Sequence, residues 1–370
     1  MTLQHLAVSG YRSLRDVVIP LHRLTLITGA NGSGKSNLFR SLKLIVAAAR
    51  GDLMGCLARE GGLPAVMWAG PETLSRGMRS GDAPIQGGPR AKPVRLRLGF
   101  AADPFSYAVE LGYPQERRTA FALDPERKGE WIWAGSPFHP RALLCSDSGE
   151  RDPDRGLFQS GVDPQERPEV LLLREQILSW RFYDSFRTDP EAPARCPVVG
   201  TRCFALAADG RDLPAAVQTI LESGDGEAFL AAVDDAFPGA HVSVNHGDGL
   251  FRLQFHQPGL LRPLQSAELS DGTLRYLLLT AALFSPRLPP LMVLNEPEGS
   301  LHPDLLLPLA RLIRSCSQRT QVWVIAHSPR LIEALSGGDD CHRVHLVREL
   351  GSTEIPEQTM LERSAWRWPS

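Results

Sequence analysis

Apolar positions along the chain follow two spacings, and the alternation between them divides it into readable segments. Leu3 to Val8 is apolar-rich, Val17 to Ile19 follows, and Leu24-Thr-Leu-Ile-Thr28 runs into a cluster of glycines. These segments predict strand, turn, strand and loop, and a helix follows over about Ser36 to Ala49. Val94-Arg-Leu-Arg-Leu98, Phe105 to Leu111 and Glu130-Trp-Ile-Trp133 alternate or use bulky β-formers, which predicts an antiparallel sheet. Helical spacing returns at Val170 to Trp180, 212 to 222 and 226 to 236, and two alternating strands follow at His241 to Asn245 and Leu250 to His256. From Leu269 onward helix and strand alternate, an α/β pattern. Leu291 to Leu294 and Val322 to Ile325 are short continuous apolar runs, suited to the buried centre of a parallel sheet.

Two polar stretches interrupt this order. Residues 71 to 93 are dense in Gly, Pro and Ser and read as a long mobile connection, and residues 146 to 168 read as a boundary or exposed loop. The expected organisation is a discontinuous core over 1–148 and 286–370 that includes the antiparallel sheet. A helical and β lobe is inserted at 149–285. No internal repeat, heptad array or low-complexity tract is present.

Composition adds limits. With 370 residues, 43% hydrophobic and 22% charged, a sizeable core is expected, and a net charge of -2 provides no global basic field for nucleic acid. Only four basic residues are lysines, Lys35, Lys43, Lys92 and Lys128, so the many arginines read as a compositional bias and mostly a solvated face. Cys56, Cys145, Cys196, Cys203, Cys316 and Cys341 are widely and irregularly spaced, which indicates neither a zinc site nor a disulfide framework. No apolar leader region and no run of about 18 apolar residues is found, so the expected location is the cytoplasm, without membrane insertion.

Candidate chemistry begins at Gly29-Ala30-Asn31-Gly32-Ser33-Gly34-Lys35-Ser36. Glycines after a strand let backbone N–H groups turn toward phosphate oxygens, and the following helix adds the positive end of its dipole. Lys35 is expected at the β and γ phosphates and Ser36 on magnesium, with Asn37 beside them; ATP with magnesium is the expected ligand. Leu291-Met-Val-Leu-Asn-Glu-Pro-Glu298 is an apolar strand ending in polar groups, where Asn295 would face magnesium and Glu296 act as general base. The Asn295 amide brings no negative charge, so weak magnesium holding is expected. His327 follows Val322-Trp-Val-Ile-Ala326 and is a candidate partner of the γ-phosphate or the attacking water. Leu269-Ser-Asp-Gly-Thr-Leu-Arg-Tyr276 opens a helix capped by Ser270 or Asp271, and its glycine-containing start is a candidate anion site.

In this order, with Gly299-Ser-Leu-His-Pro303, Ala326-His-Ser-Pro329 and the opening Gly10-Tyr-Arg-Ser-Leu-Arg-Asp16, the motifs resemble the ABC-type ATPase heads of the RecF and SMC class. The resemblance covers about residues 1 to 50 and 265 to 350. It implies a P-loop NTPase fold with a mixed or parallel sheet, an antiparallel β subdomain and an inserted α-rich lobe. Gly29 to Ser36 would be the Walker A loop, and Ser270, Asp271, Gly272 and Thr273 the signature. Asn295 and Glu296 would be Walker B with its catalytic glutamate, Gly299 to Asp304 the D-loop and His327 the switch histidine. Arg12 would approach the nucleotide, and Gln115 and Gln176 are the candidates for the Q-loop glutamine. The resemblance further implies ATP hydrolysis and two ATP molecules sandwiched in a head-to-tail homodimer, acting on DNA or a separate effector protein in genome maintenance or phage defence.

Departures narrow the class. About 235 residues separate the phosphate loop from the signature, far more than in transporter subunits. Neither heptads nor a paired-Cys hook is present for a coiled-coil arm, and no built-in nuclease domain is expected in the short stretch after the last strand. The competing readings are a weakly hydrolysing nucleotide-binding regulatory module, motivated by Asn295, and the energising subunit of a membrane transporter.

Overall fold

The structure is a computed structural model that describes residues 2–73, 75–80, 82–87, 93–114, 120, 123–148, 155–159, 165–184, 186–338, 340–358 and 366–369. Gln115 lies outside the described residues. In chain order the strands are β1 (Thr2–Tyr11), β2 (Leu14–Pro20), β3 (Leu24–Gly29), β4 (Arg95–Asp103), β5 (Phe105–Gly112), β6 (Glu126–Ala134), β7 (Leu143–Asp147), β8 (Arg181–Tyr183), β9 (Val198–Val199), β10 (His241–Gly247), β11 (Leu250–His256), β12 (Leu264–Gln265), β13 (Leu291–Asn295), β14 (Gln321–Ile325), β15 (Cys341–Glu349) and β16 (Ser352–Glu354). Two compact units are formed, one from residues 1–22, 29–179 and 344–370, the other from 23–28 and 180–343. The residues after Trp180 form β8, which pairs in parallel with β13, and the second unit starts at that strand.

The first unit is built on a six-stranded antiparallel sheet in the order β2-β1-β4-β5-β6-β7, with Ala7 opposite Val18, Leu98 opposite Val109 and Ala108 opposite Trp131. Ala7, Val18, Ala101, Ala108 and Trp133 form one cluster with Trp366, whose ring lies 5.7 Å from that of Trp133. Gly99 is glycine for this reason: a Cβ there would stand 2.8 Å from the Trp366 ring. The helix Lys35–Arg50 buries Leu38, Leu42, Ile45 and Ala49, positions spaced as one face of a 3.6-residue period. It ends at Gly51 (φ 85°), whose N–H bonds back to Ala48 O, while Gln159 and Arg174 donate to Ala48 O and Ala49 O. β15 returns to β16 through Leu350 and Gly351, both at positive φ, as a two-residue hairpin turn requires.

Within this unit a buried acid is fully partnered. Glu130 accepts from Tyr107 Oη at 2.6 Å and from the Leu157 N–H at 2.7 Å, and Arg127 pairs with Asp147 at 2.6 Å. Burial still raises the Glu130 carboxyl above the ordinary range, against the lowering effect of those donors.

The second unit contains parallel strands in the order β3-β14-β13-β8. Ile27 stands opposite Ile325, Asn295 opposite Ile325, and Leu294 opposite Tyr183, so the carboxyl ends of all four strands reach one edge. Every residue of β14 and the first four of β13 are buried, consistent with their unbroken apolar character. The helices Leu213–Ser223, Gly226–Ala236, Asp271–Leu283 and Leu306–Ser317 and the small antiparallel sheet of β10, β11 and β12, with β9 on β11, supply the rest of its core.

Phe229 is fully buried in that core, edge-on to Phe284 with ring centres 5.7 Å apart. Phe229→Ala should cost about 3–5 kcal/mol through lost burial and the cavity left behind, read as a lowered urea midpoint with an unchanged slope.

Candidate active site

The phosphate loop starts where β3 ends. Gly29 (φ 149°) cannot carry a side chain, because a Cβ would meet Leu346 O at 2.3 Å and Ser33 Oγ at 2.6 Å. Gly34 (φ 112°) is the N-cap of the helix Lys35–Arg50, and a Cβ on it would lie 2.1 Å from Thr353 Oγ1. With no side chain on the cap, the first turn of N–H groups faces outward without competition from a capping oxygen. Lys35 is 4% exposed and donates from Nζ to Gly29 O at 2.6 Å and Ala30 O at 2.8 Å, so its ammonium sits within the span of the loop. Ser33 Oγ is buried without a hydrogen-bond partner. A tight ring of backbone with an internal cation, an uncapped helix start and a buried hydroxyl with no acceptor or donor fits a polyphosphate. Ser36 and Ala30, Asn31 and Gly32 are exposed at its rim.

Two hydroxyls brace this loop. Thr353 Oγ1 donates to Ser33 O at 2.8 Å and lies 2.8 Å from Ser13 Oγ, which in turn accepts from Asn37 Nδ2 at 2.8 Å. The neighbouring Arg12 (φ 48°) is directed elsewhere, donating to Glu60 at 2.7 Å alongside the Tyr11 hydroxyl.

In the second unit the carboxyl edge of the parallel sheet carries Asn295, Glu296 and His327. The Glu296 N–H continues the ladder by bonding to Ile325 O at 2.8 Å, and then the chain turns sharply, with Glu296 at φ 49°. A left-handed conformation costs a non-glycine residue about 1–2 kcal/mol. It is held by Arg275 from the helix Asp271–Leu283, whose Nη2 donates to Glu296 O at 3.0 Å. Glu296 Oε1 is 3.1 Å from His327 Nε2. Glu298 turns the other way and accepts from the N–H groups of His327 and Ser328, which fixes the loop bearing the histidine. Asn295 Nδ2 donates to Asp184 Oδ1 at 2.7 Å. Gln176, in the helix Pro168–Leu178 of the first unit, has a buried side-chain oxygen without a partner.

Ser270 caps the helix Asp271–Leu283, accepting from the Thr273 N–H at 3.1 Å. Its loop is fastened by Arg195, which donates to Thr188 O, Ser266 O, Leu269 O and, at 2.9 Å, to Asp271 Oδ1. A Cβ on Gly272 would lie 3.0 Å from Ser300 O, and Ser300 itself is at φ 60°. Ser270, Gly272, Thr273, Ser300, His302 and Asp304 line an open depression of about 720 Å³.

The family model described as "AAA domain, putative AbiEii toxin, Type IV TA system" matches residues 24–169 and 221–333, more than half of the chain. The chain belongs to this AAA family. Its solved neighbours agree with that fold. The SMC head domain from Thermotoga maritima is 18% identical with a TM-score of 0.52, over 97% of this chain and 100% of that one. An Smc head bound to the C-winged helix domain of ScpA is 16% identical with a TM-score of 0.51, over 98% and 99%. A third, an Smc head with an extended coiled coil bound to the C-terminal domain of ScpA, derived from Pyrococcus furiosus, is 15% identical with a TM-score of 0.50, over 98% and 97%. No curated protein matches in sequence. This member of the AAA family has the P-loop fold of the SMC head domains, with mixed α and β structure.

Several supporting groups of this AAA protein escaped sequence reasoning. Thr353, Asp184, Arg195 and Arg275 reach the candidate residues from 320, 111, 76 and 21 positions away. Arg275 lay inside the quoted signature segment, where its burial could have been suspected from the apolar residues around it. Thr353→Val keeps the shape but leaves Ser33 O and the Ser13 hydroxyl without their partner. Nucleotide affinity should fall about tenfold, equivalent to about 1.4 kcal/mol, in a calorimetric titration. Unchanged affinity would show that the brace does not shape the loop.

Proposed function

We propose that this chain is a magnesium-dependent ATPase that works as a dimerising switch. The observation that carries the reading is the Glu296–His327 pair at the edge where β13 and β14 end, beside the strand that runs directly into the phosphate loop. Phosphoryl transfer to water asks mainly for positioning and charge stabilisation. Lys35 and the N–H groups at the start of the helix Lys35–Arg50 would hold the β and γ phosphates, and Ser36 and Asn295 are the residues that would serve the magnesium ion. The ion, when bound, neutralises charge on the phosphate oxygens. Glu296 would accept the proton of the attacking water, and His327, 3.1 Å from the Glu296 carboxylate, would hydrogen-bond the γ-phosphate or that water. Among the described residues no group of three or more His, Cys, Asp or Glu stands together as a metal cage.

The open depression around Ser270 and Gly272 supports the dimer reading. It presents a helix start and small polar residues, the chemistry suited to a γ-phosphate held by a second copy. ATP would then bind the closed pair more tightly than the open one and shift the population toward it. Arg12 would have to leave Glu60 to approach a nucleotide. A protein partner is the favoured output. Two of the similar structures are Smc heads bound to ScpA domains, which supports a protein partner, and the toxin named in the family description suits a defence role. DNA is a weaker candidate given the net charge of -2. Among the described residues no helix is long and apolar enough to cross a membrane.

Lys35→Ala should abolish ATP binding. Glu296→Gln should keep binding, lower steady-state turnover by about 10²- to 10⁴-fold, and accumulate an ATP-dependent dimer on a sizing column. Equal turnover by wild type and Glu296→Gln would favour instead a regulatory module that binds nucleotide and hydrolyses little. Chelating magnesium should stop turnover in the wild-type protein; persistence in excess EDTA would remove the metal from the mechanism.

A further inference from the structure

Asn295 stands where a carboxylate would serve magnesium better, and the structure shows where the charge went. β8 and β13 run in parallel with Tyr183 opposite Leu294, so the next residues, Asp184 and Asn295, leave the same edge side by side. Asn295 Nδ2 donates to Asp184 Oδ1 at 2.7 Å. A carboxylate only accepts, so this contact settles which end of the amide faces Asp184: the NH₂ does, and the amide oxygen is turned away from it. Asp184 is exposed, as a group that must meet a hydrated ion has to be. Arg275 is buried near the three acids of this edge, Asp184, Glu296 and Glu298.

We propose that Asp184 and Asn295 together perform what one aspartate would do at position 295. Asp184 supplies the negative charge and holds the amide, and Asn295 presents its oxygen to a water on the magnesium ion of the bound nucleotide. This rests on the ATPase reading above and assigns Asp184 a positioning and charge role in it. Magnesium usually keeps several of its waters and is held by few protein groups, so a carboxylate acting one hydrogen bond away remains effective.

The test titrates magnesium into full-length protein carrying a fluorescent ATP analogue, and compares wild type with Asp184→Asn, Asn295→Asp and the double exchange. Asp184→Asn should raise the magnesium midpoint about tenfold or more while leaving affinity in EDTA and the melting temperature unchanged. The double exchange, with the carboxylate moved to position 295, should return the midpoint to within about threefold of wild type. A midpoint for Asp184→Asn within threefold of wild type overturns the proposal, as does a double exchange no better than the single variant. Failure of wild type to bind the analogue at all would instead remove the ATPase reading on which it rests. Manganese electron paramagnetic resonance on the same variants gives a readout independent of turnover, with a weaker bound-ion signal expected for Asp184→Asn alone.

Discussion

The parallel register of β3, β14, β13 and β8 is the constraint on which the chemistry depends. A buried parallel strand must place its backbone groups against neighbours on both sides, so its register is not free to slide. With Ile27, Ile325 and Asn295 level with one another, the residues that follow each strand necessarily emerge together. Glu296, His327 and Asp184 are all within three residues of a strand end. The phosphate loop follows Thr28 through a single peptide bond.

Placement at an edge does not by itself aim a side chain, and Glu296 shows what does. Its left-handed backbone turns the carboxylate toward His327 while its N–H remains in the ladder and its carbonyl is taken by Arg275. Conformational strain of about 1–2 kcal/mol is comparable to the net worth of one or two such hydrogen bonds, so the strained turn persists because its backbone is held at both ends. Glu298 adds to this from the opposite side by holding the N–H groups of His327 and Ser328. The same logic governs the phosphate loop, where Gly29 and Gly34 are required both by their backbone angles and by the oxygen atoms packed against them.

What the sequence made legible follows from how local each cause is. The strand into Gly29, the helix after it and the runs Leu291 to Leu294 and Val322 to Ile325 are encoded by contiguous apolar residues and glycines, and the structure has β3, β13, β14 and the helix Lys35–Arg50 there. The antiparallel sheet was readable from alternation in Val94 to Leu98 and Phe105 to Leu111 for the same reason. β8 was not, because it is three residues long and pairs with β13 more than a hundred positions away. Thr353, Asp184 and Arg195 were invisible likewise: each is an ordinary polar residue until a distant strand or loop is brought to it.

Asn295 illustrates how that distance misleads. Taken alone, an amide at a magnesium position reads as a defect, since it lacks the charge a divalent ion seeks. Beside Asp184 the argument reverses. An aspartate at 295 in the observed geometry would set two carboxylates at hydrogen-bond distance, and such a pair cannot both stay ionised without a cation between them. One would take a proton, or the two would separate and disturb the turn at Glu296. The amide avoids this by donating to Asp184. An amide beside a carboxylate is thus the arrangement that keeps both Glu296 and the neighbouring strand end in place.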